Sequence, residues 1–152
     1  MTLPNQYLLS DFLKHHVKCD NGLDHGAGLS PWMHPPVHRL LGWSSRPSAF
    51  KLTRAVWRLN QLRGIGTEFV YVMGKSSITD QITLDRLPTL LSSDILNVCG
   101  DKIASLVDFI FEPKTGKIIK YMISRSDPRL PGTSRWLLPL DRIVDQQPGM
   151  VS

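Results

Sequence analysis

Alternating apolar and polar positions in the second half of the chain predict a β-hairpin. Between residues 103 and 111 large apolar side chains recur at nearly every second position, and many are β-branched or aromatic. Residues 117–124 repeat this alternation, and the proline and glycine of 112–116 favour a tight turn between the two strands. The side chains expected in the core of this unit are Ile103, Val107, Phe109, Ile119, Tyr121, Ile123 and Leu137.

Residues 48–63 show apolar residues at helical spacing, which predicts one amphipathic helix. Ser48 would cap its start, and Gly64 and Gly66 would end it. The apolar face would carry Ala49, Leu52, Val56 and Leu59. The opposite, basic face would carry Lys51, Arg54 and Arg58. Residues 67–73, which follow, are expected to form a strand.

Residues 19–47 are interrupted by several glycines and prolines, so we expect an irregular extended arm with few regular hydrogen bonds. A long loop of this kind is typical of a binding segment. It contains more large apolar residues than a solvated linker needs, and these must pack on the rest of the protein or on a partner. They include Trp32, Leu40, Leu41 and Trp43.

The positive charge is concentrated in the first part of the chain. Residues 1–66 contain eight Lys and Arg against three Asp, and therefore account for the whole net charge of +5. All five histidines and three of the four tryptophans lie there as well. Such asymmetry predicts a partner with an acidic surface. The basic face of the helix has a simpler alternative, in which it covers the core and leaves its charges in water.

The motif order in about the last 60 residues resembles the PRC-barrel family. The matching positions are Ser93-Asp94-Ile95, Gly100-Asp101-Lys102-Ile103, Asp108, Gly116 and Pro139. The resemblance implies a mainly β fold: a small PRC-type barrel over 67–152, preceded by a basic arm and helix over 1–66. Asn97 stands where the family commonly has glycine. The chain also ends where the family forms another strand, so the barrel is either incomplete or completed by 67–73.

Few residues in the sequence suggest catalysis or metal binding. The histidines at 15, 16, 25, 34 and 38 have no cysteine or carboxylate at a usual zinc spacing, and residues 67–152 contain no histidine for a catalytic triad. The two cysteines, 80 positions apart, fit ordinary reduced thiols. We therefore expect no enzyme activity, no metal and no cofactor. No apolar run approaches the roughly 18 residues of a membrane-spanning helix, and we expect neither such a segment nor a secretion signal.

The resemblance implies a non-catalytic adaptor or assembly protein, because PRC-barrels serve as platforms in larger complexes. A photosynthetic complex is the partner that it favours, with a cytoplasmic or stromal location peripheral to the photosynthetic membrane. The expected partner-binding residues are Trp32, Leu40, Leu41, Trp43, Lys51, Arg54 and Arg58. The alternative is an RNA- or ribosome-associated maturation factor, which the isoelectric point near 9.5 favours.

Overall fold

The fold is given by a computed structural model that describes most of the chain. The described residues are 3–46, 53–80, 86, 88–126, 132–144, 146–147 and 150–152. Their secondary structure is mainly β, which confirms the mainly β character of the predicted fold class. Among these residues no helix is both long enough and apolar enough to cross a membrane.

The first sheet follows a short N-terminal segment that consists of β1 (Tyr7–Leu8) and helix α1 (Leu9–Leu13). Its strands are β2 (His16–Cys19), β3 (Asp24–His34), β4 (Arg39–Ser45), β5 (Thr53–Arg58), β6 (Leu62–Ile65), β7 (Phe69–Val72) and β8 (Ser77–Asp80). Short 3-10 helices at Pro35–Val37 and Leu59–Gln61 connect β3 to β4 and β5 to β6. The spatial order is β6-β7-β2-β3-β4-β5-β8, with β2 and β7 parallel.

The second sheet is built from the C-terminal part of the chain. Its strands are β9 (Asp94–Leu96), β10 (Lys102–Phe111), β11 (Ile118–Ser126), β12 (Thr133–Pro139), β13 (Gln146–Gln147) and β14 (Met150–Val151), with a 3-10 helix at Leu140–Arg142. They lie in the order β12-β11-β10-β9-β14-β13, and β1 pairs with the end of β10. The predicted hairpin is confirmed as β10 and β11.

The predicted closed barrel is wrong for the described strands, because both sheets are open. In the second sheet β12 and β13 end the strand order and do not pair with each other. Residues 67–73 do contain a strand, β7, but it cannot complete the second sheet. Both of its edges are occupied in the first sheet, where β2 and β6 pair with it.

One hydrophobic core joins the two sheets, and Phe12 of helix α1 lies at their junction. Its ring meets Trp43 of the first sheet edge to face, at a centroid distance of 4.9 Å. It meets Phe111 of the second sheet in the same manner at 5.4 Å. Aromatic pairs in this geometry add roughly 0.5–1.5 kcal/mol to the burial of their surface. Phe12 therefore stabilises the packing of one sheet on the other.

The buried carboxylate of Asp108 holds the start of helix α1 against the second sheet. Asp108 Oδ1 accepts hydrogen bonds from the backbone N–H of Ser10, at 3.1 Å, and from that of Phe109, at 2.9 Å. The first N–H groups of a helix have no partner within the helix, and a carboxylate satisfies one of them here. Asp108 therefore links two segments that are almost 100 residues apart in sequence.

Two β-bulges in β10 make part of the predicted core wrong. Ile103 is an extra residue opposite β9, and Val107 is an extra residue opposite β11. Each bulge reverses the alternation of buried and exposed side chains. Phe109 and Tyr121 are fully buried as predicted, whereas Ile103 and Val107 are 41% and 37% exposed. Leu137 is also exposed, at 50%, while Ile119 and Ile123 are partly buried.

The predicted helix over 48–63 is wrong in its described part, residues 53–63. Residues Thr53–Arg58 form β5, followed by the 3-10 helix and the first residues of β6. Ala55 and Trp57 are two positions apart, and both are buried in the core. This spacing is that of a strand, and it determines the structure here rather than the helical spacing of Val56 and Leu59. The basic face does not exist as such, because Arg54 is buried and Arg58 is exposed. Lys51 lies outside the described residues.

The predicted irregular arm over 19–47 is also wrong in its described part, residues 19–46, because β3 and β4 form an antiparallel hairpin there. The glycines and prolines of 19–46 lie within or beside these strands. The large apolar residues of the segment stabilise it, since Leu40 and Trp43 are each only 1% exposed. The predicted division of the chain at residue 66 stays a prediction, but β6 and β7 pair with each other across that position.

Candidate partner-binding groove

An open groove of about 390 Å³ lies where the first sheet meets the turn of the β10–β11 hairpin. We call it the Trp32 groove. Its lining residues are Trp32, Arg39, Leu40, Leu41, Arg58, Leu59, Asn60 and Thr115. They come from β3, β4, β5, the following 3-10 helix and the hairpin turn, so the groove depends on the packing of both sheets.

A row of three paired residues sets the width of the groove. Trp32 of β3 pairs with Gly42 of β4, and Gly42 pairs in turn with Arg58 of β5. Because neighbouring strands are about 4.8 Å apart, Trp32 and Arg58 are separated by roughly 10 Å. Gly42 contributes no side chain between them. A Cβ atom at Gly42 would overlap the carbonyl oxygen of Trp57, so β4 and β5 approach each other this closely only with glycine.

A β-bulge in β4 turns Leu41 towards the groove. Trp32 pairs with Gly42, while the next residue of β3, Met33, pairs with Leu40, which leaves Leu41 unpaired. Leu40 is buried in the core, and Leu41 is only partly buried. Bulges often redirect a side chain in this way beside binding sites. Leu41 and Trp32 therefore give the groove a partly exposed apolar surface.

The hairpin turn closes one end of the groove, because its backbone binds directly to β4. The backbone N–H of Leu40 donates a hydrogen bond to the Gly116 carbonyl oxygen at 2.7 Å. The N–H of Ile118 donates one to the His38 carbonyl oxygen at 2.9 Å. Gly116 has φ +81°, and a Cβ atom there would overlap the carbonyl oxygen of Leu40. Glycine is therefore needed both for the turn and for the contact that places Thr115 in the groove.

The exposed charges around the groove are mainly positive. Arg39 and Arg58 lie on its rim, and neither forms an ion pair with a described carboxylate. Lys117 adds a further exposed cation next to Arg39, since the two residues form an isolated β-bridge. Glu112 is close to the turn and accepts a hydrogen bond from the Thr115 hydroxyl at 3.1 Å. The groove thus combines an apolar floor with guanidinium groups that are available to an anion.

Four of the seven predicted partner-binding residues lie together in this groove: Trp32, Leu40, Leu41 and Arg58. Two others do not. Trp43 belongs to the core beside Phe12, and Arg54 is only 5% exposed on β5. The seventh, Lys51, is outside the described residues. The grouping arises from strand pairing rather than from the predicted arm and helix.

Sequence reasoning missed the other four lining residues: Arg39, Leu59, Asn60 and Thr115. Arg39 could have been found, because it is a basic residue directly before the predicted pair Leu40 and Leu41. Thr115 gave no such signal, since it is 74 positions away from Leu41 in sequence. It enters the groove only through the contact of Gly116 with β4.

Four of the histidines and the buried Cys19 take part in hydrogen bonds: His15, His16, His25 and His38. Cys19 is buried, and its Sγ atom lies 3.2 Å from Nε2 of His25, whose ring packs on Trp57. Partial burial opposes ionisation of Asp24, but hydrogen bonds from the Gly26 backbone N–H and from His16 outweigh it and lower the pKa of this carboxyl group. Within the described part of the chain, no three His, Cys, Asp or Glu side chains are placed to hold a metal ion.

The His38 ring links the first sheet to the second near the same turn. Its Nδ1 atom lies 2.8 Å from the hydroxyl of Tyr121. Burial raises the pKa of Tyr121 well above its ordinary value, so the hydroxyl stays protonated over the physiological range. This polar contact adds to the backbone hydrogen bonds that fix the end of the groove.

Comparisons with known proteins returned no match for this chain, either among protein-family models or among curated proteins.

Proposed function

We propose that this protein is a non-catalytic adaptor that binds an acidic segment of a larger complex in the Trp32 groove. The observation that carries the proposal is the placement of Arg39 and Arg58, both exposed, around the apolar surface of Trp32 and Leu41. Tryptophan and arginine are the residues most often found at the energetic centres of protein interfaces.

The chemistry of the groove suits a carboxylate next to an apolar side chain. An arginine guanidinium can bind a carboxylate through two parallel hydrogen bonds. An apolar side chain of the partner would pack between Trp32 and Leu41, where it loses contact with water. The positive charge of the rim would also accelerate the encounter with an acidic surface.

The PRC-barrel resemblance of residues 93–139 supports the adaptor role, and it makes a photosynthetic complex the first partner to test. In this proposal the second sheet is the PRC-type platform, and its hairpin turn presents one wall of the groove. The protein would act on the cytoplasmic or stromal side of the photosynthetic membrane, attached through its partner.

A second candidate function is binding of single-stranded RNA during ribosome maturation. The observation that favours it is again that Trp32 lines the same groove as two arginines, because aromatic rings stack on bases and arginines bind phosphates. The excess of positive charge in residues 1–66 is consistent with this alternative.

Affinity purification from source cells tests the adaptor role. The bait is the intact chain, compared with the double variant Arg39→Glu and Arg58→Glu, and bound proteins are identified by mass spectrometry. Lys14→Glu with Lys75→Glu is the matched control, since both lysines are exposed and the change in net charge is the same. We expect the groove variant to lose a defined set of proteins that the wild type and the control retain.

Fluorescence anisotropy with a labelled single-stranded RNA separates the two functions. The adaptor account predicts weak binding that changes equally in the groove variant and the control. RNA affinity that is lost only in the groove variant, with no protein complex recovered, would contradict the adaptor role and favour the second candidate.

A further inference from the structure

A cavity of about 290 Å³ lies in the second sheet, and β9, β12 and β14 all contribute to its walls. We call it the Arg142 cavity. Its lining residues are Ile95, Leu96, Asn97, Val98, Ile103, Leu138, Arg142, Ile143, Val144, Val151 and Ser152. Eight of these eleven residues are aliphatic, and none of the eleven lines the Trp32 groove. The cavity is therefore a separate site with a mainly apolar surface.

The curvature of the second sheet brings these residues together. Leu138 lies on β12 and Val151 on β14, and four strand spacings separate these two strands along the sheet. In a flat sheet they would be roughly 19 Å apart, so the sheet bends to place both residues at one cavity. The described strands do not close into a barrel, and the cavity lies at the opening between β12 and β14. The mouths of β-barrels are common sites for small ligands, and this opening of a curved sheet is similar to one.

Hydrogen bonds hold the cavity in place on two sides. On one side, Asn97 Oδ1 accepts a hydrogen bond from the backbone N–H of Cys99 at 2.9 Å, which fixes the turn that carries Val98. On the other side, the backbone N–H of Val144 donates a hydrogen bond to the backbone oxygen of Ser152 at 2.8 Å. The walls are thus formed before a ligand binds, and this lowers the entropic cost of binding.

The rim of the cavity exposes aliphatic side chains that the fold itself does not bury. Val98 is 95% exposed, Val144 79% and Ile103 41%, whereas Ile95 and Val151 are buried at the base of the cavity. A single exposed apolar residue is ordinary, but three that line one cavity mark a ligand or interaction site. A ligand with an aliphatic chain would cover them, and the removal of this surface from water would stabilise the complex.

Arg142 is the one charged side chain among the described residues that line the cavity. It is exposed on the 3-10 helix that follows β12, and it forms no ion pair with a described carboxylate. The preceding residue, Asp141, does not line the cavity. A guanidinium group binds a carboxylate through two parallel hydrogen bonds. Its position beside an apolar cavity therefore favours an aliphatic ligand that ends in a carboxylate.

We propose that the Arg142 cavity binds a medium-chain fatty acid. The aliphatic chain would occupy the cavity and cover Val98, Ile103 and Val144, and the carboxylate would pair with Arg142. A non-hydrogen atom with its hydrogens takes up about 30 Å³ in a liquid, so the cavity holds roughly ten such atoms, as many as octanoate has. The proposal does not rest on the function proposed for the Trp32 groove.

Titration of the intact, isotope-labelled protein with octanoate tests the proposal by NMR. We expect saturable shifts of the backbone amides of Ile95, Ile143 and Val151, which lie in three different segments around the cavity. Octanamide has the same size and chain but no charge, and it should bind about tenfold or more weakly. Hexanoate should also bind roughly tenfold more weakly than octanoate, because it buries two fewer methylene groups.

Two sets of variants separate the role of the charge from that of the rim. Arg142→Gln should weaken octanoate binding about tenfold and leave octanamide binding unchanged within about twofold. Arg135→Gln is the matched control, since this arginine is exposed on β12 and does not line the cavity, and it should change neither affinity. Val98→Ser with Val144→Ser, both at exposed positions, should weaken the binding of both ligands.

Several outcomes of these titrations would overturn the proposal. One is that octanoate causes no saturable shift at the cavity amides, or that the shifts cluster at the Trp32 groove instead. Another is that octanamide or hexanoate binds the wild type as tightly as octanoate does. The proposal also fails if Arg142→Gln and Arg135→Gln weaken octanoate binding equally. Circular dichroism melting curves verify that each variant is folded.

Discussion

Single residues place the two sheets in contact, and Gly116 is the most demanding of them. The sequence predicts its role in the hairpin turn, because proline and glycine in a short polar stretch are turn signals. The sequence gives no sign of its second role, since the contact with the Leu40 carbonyl oxygen depends on where β4 lies. A turn residue can therefore also determine how two distant parts of the chain pack.

Replacing Gly116 with alanine should destabilise the protein more than the same change at Gly100. Both glycines have a positive φ, +81° and +87°, so each substitution costs roughly 1–2 kcal/mol in backbone strain. Only at Gly116 would the new Cβ atom also overlap backbone, because nothing lies within 4 Å at Gly100. Urea denaturation of both variants measures the difference, which we expect to exceed about 1 kcal/mol. If both variants lost the same free energy of unfolding, the turn would not be bound tightly to β4.

The sequence predicts strands well where apolar and polar residues alternate regularly, and poorly where the alternation is interrupted. The β10–β11 hairpin follows directly from its pattern, but the bulges at Ile103 and Val107 cannot be read from apolar residues alone. The segment 53–63 fits a helical spacing through Val56 and Leu59, and a strand through Ala55 and Trp57. The strand forms because Trp57 pairs with Trp43 on the neighbouring strand. Intrinsic helix and strand propensities do not account for such a tertiary contact.

Because of the bulge at Val107, alanine substitutions at Val107 and Phe109 should lower the stability of the protein by different amounts. Phe109→Ala should lower the free energy of unfolding by roughly 3–5 kcal/mol, because this side chain is fully buried. Val107→Ala should cost less than about 1 kcal/mol, since the residue is partly exposed at the bulge. Denaturation midpoints of the two variants test the register. A large loss at Val107 with a small one at Phe109 would place the opposite face of β10 in the core.

At the scale of the whole molecule, the candidate site could be predicted only in part. The sequence predicts Trp32, Leu40, Leu41 and Arg58 as partner-binding residues because they are apolar or basic residues in the positive part of the chain. Their arrangement around one groove required the hairpin of β3 and β4, which glycines and prolines concealed, and its contact with a turn from the second sheet. A site formed between two sheets has no continuous sequence signature.

The N-terminal segment is a sheet fixed to the second one, and the Trp32 groove exists because of this contact. Native-state hydrogen exchange, measured by NMR on the free protein, tests the claim directly at two amides. The N–H groups of Leu40 and Ile118 donate across the junction, to Gly116 and His38. We predict that both are protected as strongly as the core amide of Phe109 and lose protection together with it in denaturant. Fast exchange at Leu40 and Ile118 while Phe109 stays protected would contradict the account.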